Sequence, residues 1–190
     1  MTRLPGITVY DACRQGPLTP DLQQTIVKEV SSVLEKLQTL RQPEADAGKV
    51  MMSASGHDLP DPLFFFEERS GPFPSPAALW AHLGTYCIVQ EYEKEVDEDT
   101  RAIMAADPIR YVHADLRMYN VLIHDGHVSG FIDWEDSGWY PSSWQVHAMR
   151  WLCPGCELFW LLYWRHEYRF SPEAEAAYTA SHKFLIHSPV

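Results

Sequence analysis

The chain has 190 residues, of which 46% are hydrophobic and 13% are aromatic, and its formal net charge is −11. This composition argues against a disordered chain, and the length is sufficient for one domain with a buried core. The negative charge argues against nucleic acid and anionic membrane surfaces as partners, because few cationic side chains are available to displace counterions. We therefore expect a single domain over residues 1–190 that acts on a small molecule, most easily a neutral, cationic or metal-associated one.

No segment has the features of a signal peptide or a membrane anchor. The N-terminal residues contain no apolar core of signal-peptide length, and no apolar run approaches the ~18 residues that span a bilayer. The most apolar segment, residues 158–164, ends at the polar residues 165–167 and predicts a buried helix or the wall of a pocket. We expect a cytoplasmic protein that does not contact membranes.

Helices are the main predicted elements, and capping residues and prolines mark where they start. Thr19 before Pro20 is one such start, since Thr caps a helix and Pro suits its first position. The Gly- and Pro-rich residues 55–76 predict an ordered loop with an aromatic anchor at residues 63–66, and residues 50–52 predict a short strand. Helices are predicted over residues 20–40, from 76 to the charged segment 91–95, and over residues 97–106, 142–152, 156–170 and 172–184.

Cys153 and Cys156 have a spacing that suits zinc binding or redox chemistry. A closed zinc site needs further ligands, and His147 and His166 are the nearby candidates. The Pro-Gly pair between the two cysteines fits a break between buried helices equally well. We favour this structural interpretation and leave the role of the two cysteines open.

The most informative segment reads H-A-D-L-R-M-Y-N from His113 to Asn120, followed by I-D-W-E with Asp133 as its acid. An attacking hydroxyl needs a carboxylate within hydrogen-bond reach to take its proton, and magnesium held near a triphosphate needs oxygen ligands. In the protein-kinase template the first Asp, here Asp115, is the base, and the Asn and the later Asp hold the metal ion. The spacing therefore indicates the chemistry of phosphoryl transfer.

Two short apolar runs, residues 121–123 and 128–132, flank an Asp-Gly turn and predict a β-hairpin. Antiparallel pairing brings Asn120 and Asp133 to the same end of this hairpin, where they can share one cation. Each residue alone also fits a structural role, because Asp and Asn often cap turns and His113 suits the support of a loop. The combination favours a functional site.

The segment Tyr111–Trp144 resembles the catalytic core of the aminoglycoside phosphotransferase family, which includes choline-kinase-like small-molecule kinases. The tetrads I-D-W-E and G-W-Y-P carry the resemblance, and weaker similarity extends to Leu4–Val9, after the interlobe hinge, and to Gly71–Phe73. The resemblance implies an α+β, mainly helical fold, namely a protein-kinase-like C-terminal lobe with a small catalytic β-hairpin.

The resemblance also implies roles for individual residues. Asp115 would be the catalytic base, Asn120 and Asp133 would be magnesium ligands, and His113 would brace the catalytic loop. Members of the family carry an N-terminal lobe that covers the nucleotide phosphates and supplies a lysine, whereas this chain begins near the hinge and has no glycine-rich loop before Asp115. We therefore expect a C-terminal lobe only, with magnesium as a candidate ion and with weak or absent binding of ATP.

Aromatic residues are abundant after the hairpin. Most are expected in the core, and some are expected to line an acidic cleft beside Asp115 and Asp133. The aromatic residues concerned are Trp134, Trp139, Tyr140, Trp144, Trp151, Trp160 and Trp164.

Three functions remain open from the sequence. The favoured one is an enzyme in which Asp115 and Asp133 have been repurposed for acid/base chemistry on a small organic metabolite. The second is an ATP- and magnesium-dependent phosphotransferase whose N-terminal lobe is missing or supplied by another chain. The third is a non-catalytic, pseudokinase-like binding protein. A homodimer through the surface left by the missing lobe is a further expectation.

Overall fold

The computed structural model describes residues 4–60, 68–86, 92–150 and 158–185. Helices and short antiparallel strands make up these segments. The α-helices are α1 (Val9–Gln15), α2 (Pro20–Gln38), α3 (Pro76–Tyr86), α4 (Tyr92–Glu95), α5 (Glu98–Ala105), α6 (Ser143–Arg150), α7 (Leu158–Leu162) and α8 (Pro172–Leu185). The strands are β1 (Ile7–Thr8), β2 (Leu59–Pro60), β3 (Arg69–Ser70), β4 (Ile109–Val112), β5 (Val121–His124), β6 (His127–Phe131) and β7 (Gly138–Pro141).

The chain divides into two compact units, each built from separate stretches of sequence. The first unit comprises Met1–Thr39, Asp115–Trp134 and Ala148–Arg169. The second unit comprises Leu40–Ala114, Glu135–His147 and Phe170–Val190.

A three-stranded antiparallel sheet in the order β1-β5-β6 lies in the first unit. β5 and β6 form the predicted hairpin, with Val121 opposite Phe131. β1 pairs with the other edge of β5, and there a Cβ atom on Gly6 would collide with the carbonyl oxygen of Ile123. Only glycine fits this position, because Gly6 also has a φ of 107°. The hairpin prediction is confirmed, and β1 is an addition that the sequence did not predict.

The long helix α2 packs against β6. Its predicted start is confirmed, because the side chain of Thr19 accepts a hydrogen bond from the backbone N–H of Leu22. Glu29 attaches the helix to the hairpin. Its carboxylate accepts a 2.6 Å hydrogen bond from the backbone N–H of Val128 and lies 2.7 Å from Nδ1 of His127. The buried residues of α2 are Ile26, Val27, Val30, Ser31 and Leu34.

Two short antiparallel ladders lie in the second unit, β2 with β3 and β4 with β7. The β4–β7 ladder, in which Val112 lies opposite Gly138, was not predicted. Met52 forms an isolated bridge with Trp139, and Val50 forms another with Phe73. The strand predicted over residues 50–52 is therefore reduced to single bridges.

Asp107 fixes the start of α6 in the second unit. Its carboxylate accepts hydrogen bonds from Oγ of Ser142 at 2.5 Å and from the backbone N–H of Ser143 at 2.9 Å. Burial raises the pKa of Asp107, and the hydrogen bonds from Ser142 and Ser143 oppose this rise. The side chain is 3% exposed, so these donors replace the water it would otherwise bind.

The helix predicted over residues 156–170 is helical in its described part up to Glu167, but its second half is π-helical and it ends before residue 170. α7 ends at Leu162, and a π-helical turn over Tyr163–Glu167 follows it. The backbone N–H of Tyr168 donates to the carbonyl of Tyr163 at 2.9 Å, the wider spacing of a π-helix. Buried Arg150 donates from Nε to the carbonyl of Trp164 in the same unit, at 2.8 Å.

The remaining helix predictions are confirmed as α3, α5, α6 and α8. The aromatic anchor at residues 63–66, residues 87–91 of the helix predicted from residue 76, and both Cys153 and Cys156 lie outside the described residues. The predicted end of that helix is helical over Tyr92–Glu95, which is α4. Within the described segments, no helix combines the length and the apolar character needed to cross a bilayer.

Candidate active site

Asp115 and Asn120 are held together by the loop before β5 in the first unit. Asn120 ends a 3-10 turn over Met118–Asn120. Its side-chain nitrogen Nδ2 donates at 2.8 Å to the backbone carbonyl of Asp115 and at 2.8 Å to Oδ2 of the Asp115 carboxylate. Because Nδ2 is turned toward Asp115, the carbonyl oxygen Oδ1 of Asn120 points elsewhere and can act as a ligand.

Asp133 is brought beside Asn120 by the pairing of the hairpin strands. The backbone N–H of Ile132 donates to the carbonyl of Asn120 at 3.0 Å, directly beyond the Val121–Phe131 pair. Asp133 then adopts a left-handed conformation with φ 62°, which Asp tolerates better than most residues, and its side chain is exposed. The prediction that Asn120 and Asp133 share one end of the hairpin is confirmed.

Arg117 is the second charged residue of the loop that carries Asp115, and the sequence analysis did not single it out. Its Nε lies 2.8 Å from Oδ1 of Asp115 as an ion pair, with the two side chains 36% and 31% exposed. Its backbone N–H also donates to the carbonyl of Asp115 at 3.0 Å. Asp115 therefore has one oxygen beside a cation and the other beside an amide, and each oxygen keeps a lone pair for a further donor.

His113 lies in the second unit, at the end of β4, and is fully buried. Its backbone N–H donates to Oε1 of Gln145 on α6 at 3.2 Å. Ala114, the next residue, is left-handed with φ 66°, a conformation that costs energy for a residue with a Cβ atom. His113 is thus part of the core of the second unit, and no local sequence signal identified Gln145 as the partner of its backbone.

The model of the phosphotransferase enzyme family designated APH matches residues 1–182. The chain belongs to this family. Among curated proteins none matches the chain significantly.

Solved structures of the APH family resemble the chain at low sequence identity. Two crystal structures of the aminoglycoside phosphotransferase APH(4)-Ia, one of them a thermostable mutant in apo form, have 18% identity and a TM-score of 0.50, covering 94% of this chain and 60% of theirs. A streptomycin-ATP-APH(2")-IIa ternary complex has 12% identity and a TM-score of 0.49, covering 96% of this chain and 59% of its own. This phosphotransferase-family chain therefore has the protein-kinase-like fold and spans about 60% of the length of the structures it matches.

Asn120 and Asp133 of this APH-family chain carry oxygen atoms of the kind that binds magnesium. Asn120 offers an amide oxygen and Asp133 offers a carboxylate, and Mg²⁺ prefers hard oxygen ligands supplied by a few protein groups. Among the described residues, no group of three or more His, Cys, Asp or Glu side chains is placed to hold a metal ion. A set of oxygen donors of this kind would suit magnesium better than zinc.

Five of the seven aromatic residues predicted after the hairpin are buried, namely Trp139, Tyr140, Trp144, Trp160 and Trp164. Trp151 lies outside the described residues. In the second unit Tyr140 stacks with Trp144 at a centroid distance of 5.1 Å, and both are buried. Trp134 differs, because it is 38% exposed next to Asp133. It packs parallel to Phe131 at 6.2 Å and donates from Nε1 to the Phe131 carbonyl at 3.0 Å, which fixes its ring at the end of the hairpin.

Proposed function

We propose that the protein transfers a phosphoryl group from a magnesium-bound nucleoside triphosphate to a hydroxyl group of a small organic molecule. The observation that carries the proposal is the pair of 2.8 Å hydrogen bonds by which Asn120 orients the Asp115 carboxylate. This arrangement holds a proton acceptor and a metal ligand in one rigid loop. The membership of the chain in a phosphotransferase family supports the same conclusion.

Asp115 is the general base of the proposed reaction. The acceptor hydroxyl donates a hydrogen bond to the Asp115 carboxylate, and its O–H bond breaks as its oxygen bonds to phosphorus. The proton moves to Asp115, and the leaving group departs with the electron pair of the broken phosphorus–oxygen bond. Arg117 and Asn120 hold the carboxylate in place during this step.

Asn120 and Asp133 would hold the magnesium ion, through Oδ1 and the carboxylate respectively. When bound, magnesium supplies charge neutralisation to the phosphate oxygens.

Repurposed acid/base chemistry by Asp115 and Asp133 has less support. A carboxylate pair of that kind needs the two groups to influence each other directly. Within the described segments, the contacts of the Asp115 side chain are with Arg117 and Asn120, and Asp133 is exposed. Phosphoryl transfer also uses Asp115 and Asp133, and it does not need the two carboxylates to influence each other directly.

The test is transfer of labelled phosphate from ATP to a panel of hydroxylated small molecules, with and without magnesium. Asp115→Asn should lower the transfer rate by about 100-fold to 10,000-fold, because the base is lost while the shape is kept. Asp125→Asn is the matched control, since Asp125 lies at the turn of the same hairpin with an 87% exposed side chain. Equal rates for Asp115→Asn and the wild type would remove Asp115 from the mechanism.

A further inference from the structure

Trp134 is an exposed tryptophan in a unit that buries its other described tryptophans. In the first unit Trp160 and Trp164 are 1% and 0% exposed, whereas Trp134 is 38% exposed. A tryptophan side chain carries a large apolar surface and is highly buried on average, because burial removes that surface from water. The position of Trp134 is therefore not explained by core packing.

Two contacts with Phe131 hold the Trp134 ring in one orientation. The two rings lie 6.2 Å apart with an interplanar angle of 22°, and Nε1 of Trp134 donates to the Phe131 carbonyl at 3.0 Å. Phe131 is itself buried and lies opposite Val121 in the hairpin, so it is a fixed support. The indole N–H is used in this hydrogen bond, and the rest of the ring is apolar. A ring that is fixed before binding loses little conformational entropy when it stacks on a ligand.

Trp134 directly follows Asp133, at the end of the hairpin that also carries Asn120. The backbone N–H of Ile132 donates to the carbonyl of Asn120 at 3.0 Å, which keeps the two proposed magnesium ligands at this end. In the proposed reaction the acceptor hydroxyl attacks the phosphoryl group that is bound to the magnesium ion. Consecutive Cα atoms are about 3.8 Å apart, so the indole of Trp134 lies within reach of an acceptor that reacts beside Asp133.

The surroundings of Trp134 select one class of ligand for its ring. An indole face attracts flat rings by stacking and attracts cations through its π electrons. A cation in this position would be repelled by the magnesium ion that Asn120 and Asp133 are proposed to hold, whereas an uncharged ring would not. A flat, uncharged ring therefore suits both the indole and its neighbours.

We propose that Trp134 stacks on a flat, uncharged ring of the acceptor molecule and thereby determines which hydroxyl compounds the protein accepts. This inference rests on the proposed function, because that reaction defines the acceptor. The acceptor class is an uncharged small molecule that carries its reacting hydroxyl a few bonds from an aromatic ring. Trp134 binds this ring and takes no part in the transfer of the proton or the phosphoryl group.

The first test compares the binding of two alcohols, 2-phenylethanol and 2-cyclohexylethanol, in the presence of magnesium. NMR follows the indole N–H resonance of Trp134, which is assigned by its absence in Trp134→Phe. Stacking predicts a shift that saturates and a dissociation constant about twofold to tenfold lower for 2-phenylethanol. Burial of apolar area alone favours the saturated ring, which has the larger surface. A shift that does not saturate, or tighter binding of 2-cyclohexylethanol, would overturn the proposal.

Trp134→Phe and Trp134→Leu form a matched pair of variants, because both residues are apolar and only Phe keeps an aromatic ring. Saturation transfer from the protein to 2-phenylethanol measures binding to both variants. Trp134→Phe should bind within about threefold of the wild type, and Trp134→Leu should bind on the order of tenfold more weakly. Leu162→Ala is the control, since Leu162 is 44% exposed on α7 of the same unit, and it should not change binding. Equal affinities for the Phe and Leu variants would contradict stacking.

A competition experiment with Mg-ADP identifies the molecule that carries the ring. Binding of 2-phenylethanol that is unchanged by Mg-ADP supports a ring of the acceptor. Competitive displacement by Mg-ADP assigns Trp134 to the nucleotide base and overturns the proposal.

The phosphoryl-transfer assay separates this inference from the proposed function. Trp134→Leu should raise KM on the order of tenfold for acceptors with a flat ring, with kcat within about twofold, because a binding contact is lost and the base is kept. It should leave KM unchanged for acceptors that lack such a ring. Transfer without this difference refutes the role of Trp134 alone, whereas binding of 2-phenylethanol at Trp134 without any transfer by the wild type refutes the proposed function alone.

Discussion

Asp115 and Asp107 show how the same side chain serves different purposes in the two units. Asp115 is partly exposed and lies between a cation and an amide. Asp107 is buried and accepts hydrogen bonds from two neutral donors at the start of α6. The partly exposed carboxylate keeps lone pairs that a ligand can reach, whereas the lone pairs of the buried one are used to hold the fold together. Burial and the choice of partners thus distinguish the carboxylate that we propose as the base from a structural one.

Asn120→Asp, which alters a hydrogen-bond partner of Asp115, is the change with the largest expected effect. An Asp carboxylate cannot donate to Oδ2 of Asp115, and it places a second negative charge where Nδ2 now lies 2.8 Å away. We expect the phosphoryl-transfer rate to fall at least about 100-fold. Circular dichroism should show an intact fold. A rate within twofold of the wild type would mean that the amide of Asn120 does not orient the base.

Asp107→Ala tests the structural role of the buried carboxylate. It leaves the backbone N–H of Ser143 and the hydroxyl of Ser142 without their acceptor, so the free energy of unfolding should fall by about 1–3 kcal/mol. Urea unfolding measures this loss. Asp58→Ala is the control in the same unit, because its ion pair with Arg69 is exposed and worth at most about 1 kcal/mol. Equal losses in the two variants would contradict the assignment of Asp107 as the anchor of α6.

The pH dependence of the free energy of unfolding gives the smallest expected effects. Its slope has opposite signs for the contributions of Asp107 and Glu29. Burial raises the pKa of Asp107, so the folded state binds this proton more tightly than the unfolded state. Stability from this group therefore decreases as pH rises from the unfolded pKa to the raised folded pKa. Asp107→Asn should remove this decrease when urea unfolding is measured across the acidic range.

Glu29 should show the opposite slope. Burial opposes the change, but the hydrogen bonds from His127 and Val128 dominate and lower the pKa of Glu29. Its contribution is present above the unfolded pKa and is lost as pH falls through the folded pKa. Glu29→Gln should therefore lose stability relative to the wild type near neutral pH and approach it in acid. If the loss of unfolding free energy changed with pH in the same direction for the Glu29 and Asp107 variants, this contrast would be refuted.

The sequence predicted the parts of the fold whose signals are local. The helix that begins after Thr19, the Asp-Gly hairpin, and the placement of Asn120 and Asp133 at one end of it were all confirmed. Capping residues, apolar spacing and turn residues each act over a few positions, so a short window of sequence contains them.

Features that depend on distant residues were not predicted. The pairing of β4 with β7, the attachment of β1 to β5, and the π-helical turn after α7 each depend on residues that are far apart or on packing. Gln145 is an example at the candidate site, since its contact with His113 joins residues on different elements. No local pattern in the sequence specifies such a partner.

The sequence by itself determined which groups are available for chemistry. The spacing of Asp115, Asn120 and Asp133 indicated phosphoryl transfer, the I-D-W-E and G-W-Y-P tetrads carried the family resemblance, and the Asp-Gly turn predicted the hairpin. The tertiary structure decided the surroundings of these groups. It gave Asp115 an arginine and an amide as partners, and it packed Tyr10 of α1 against Tyr119 in the same loop. The physical reason is that charge and hydrogen-bonding environments depend on distances in space, which the spacing of residues along the chain does not fix.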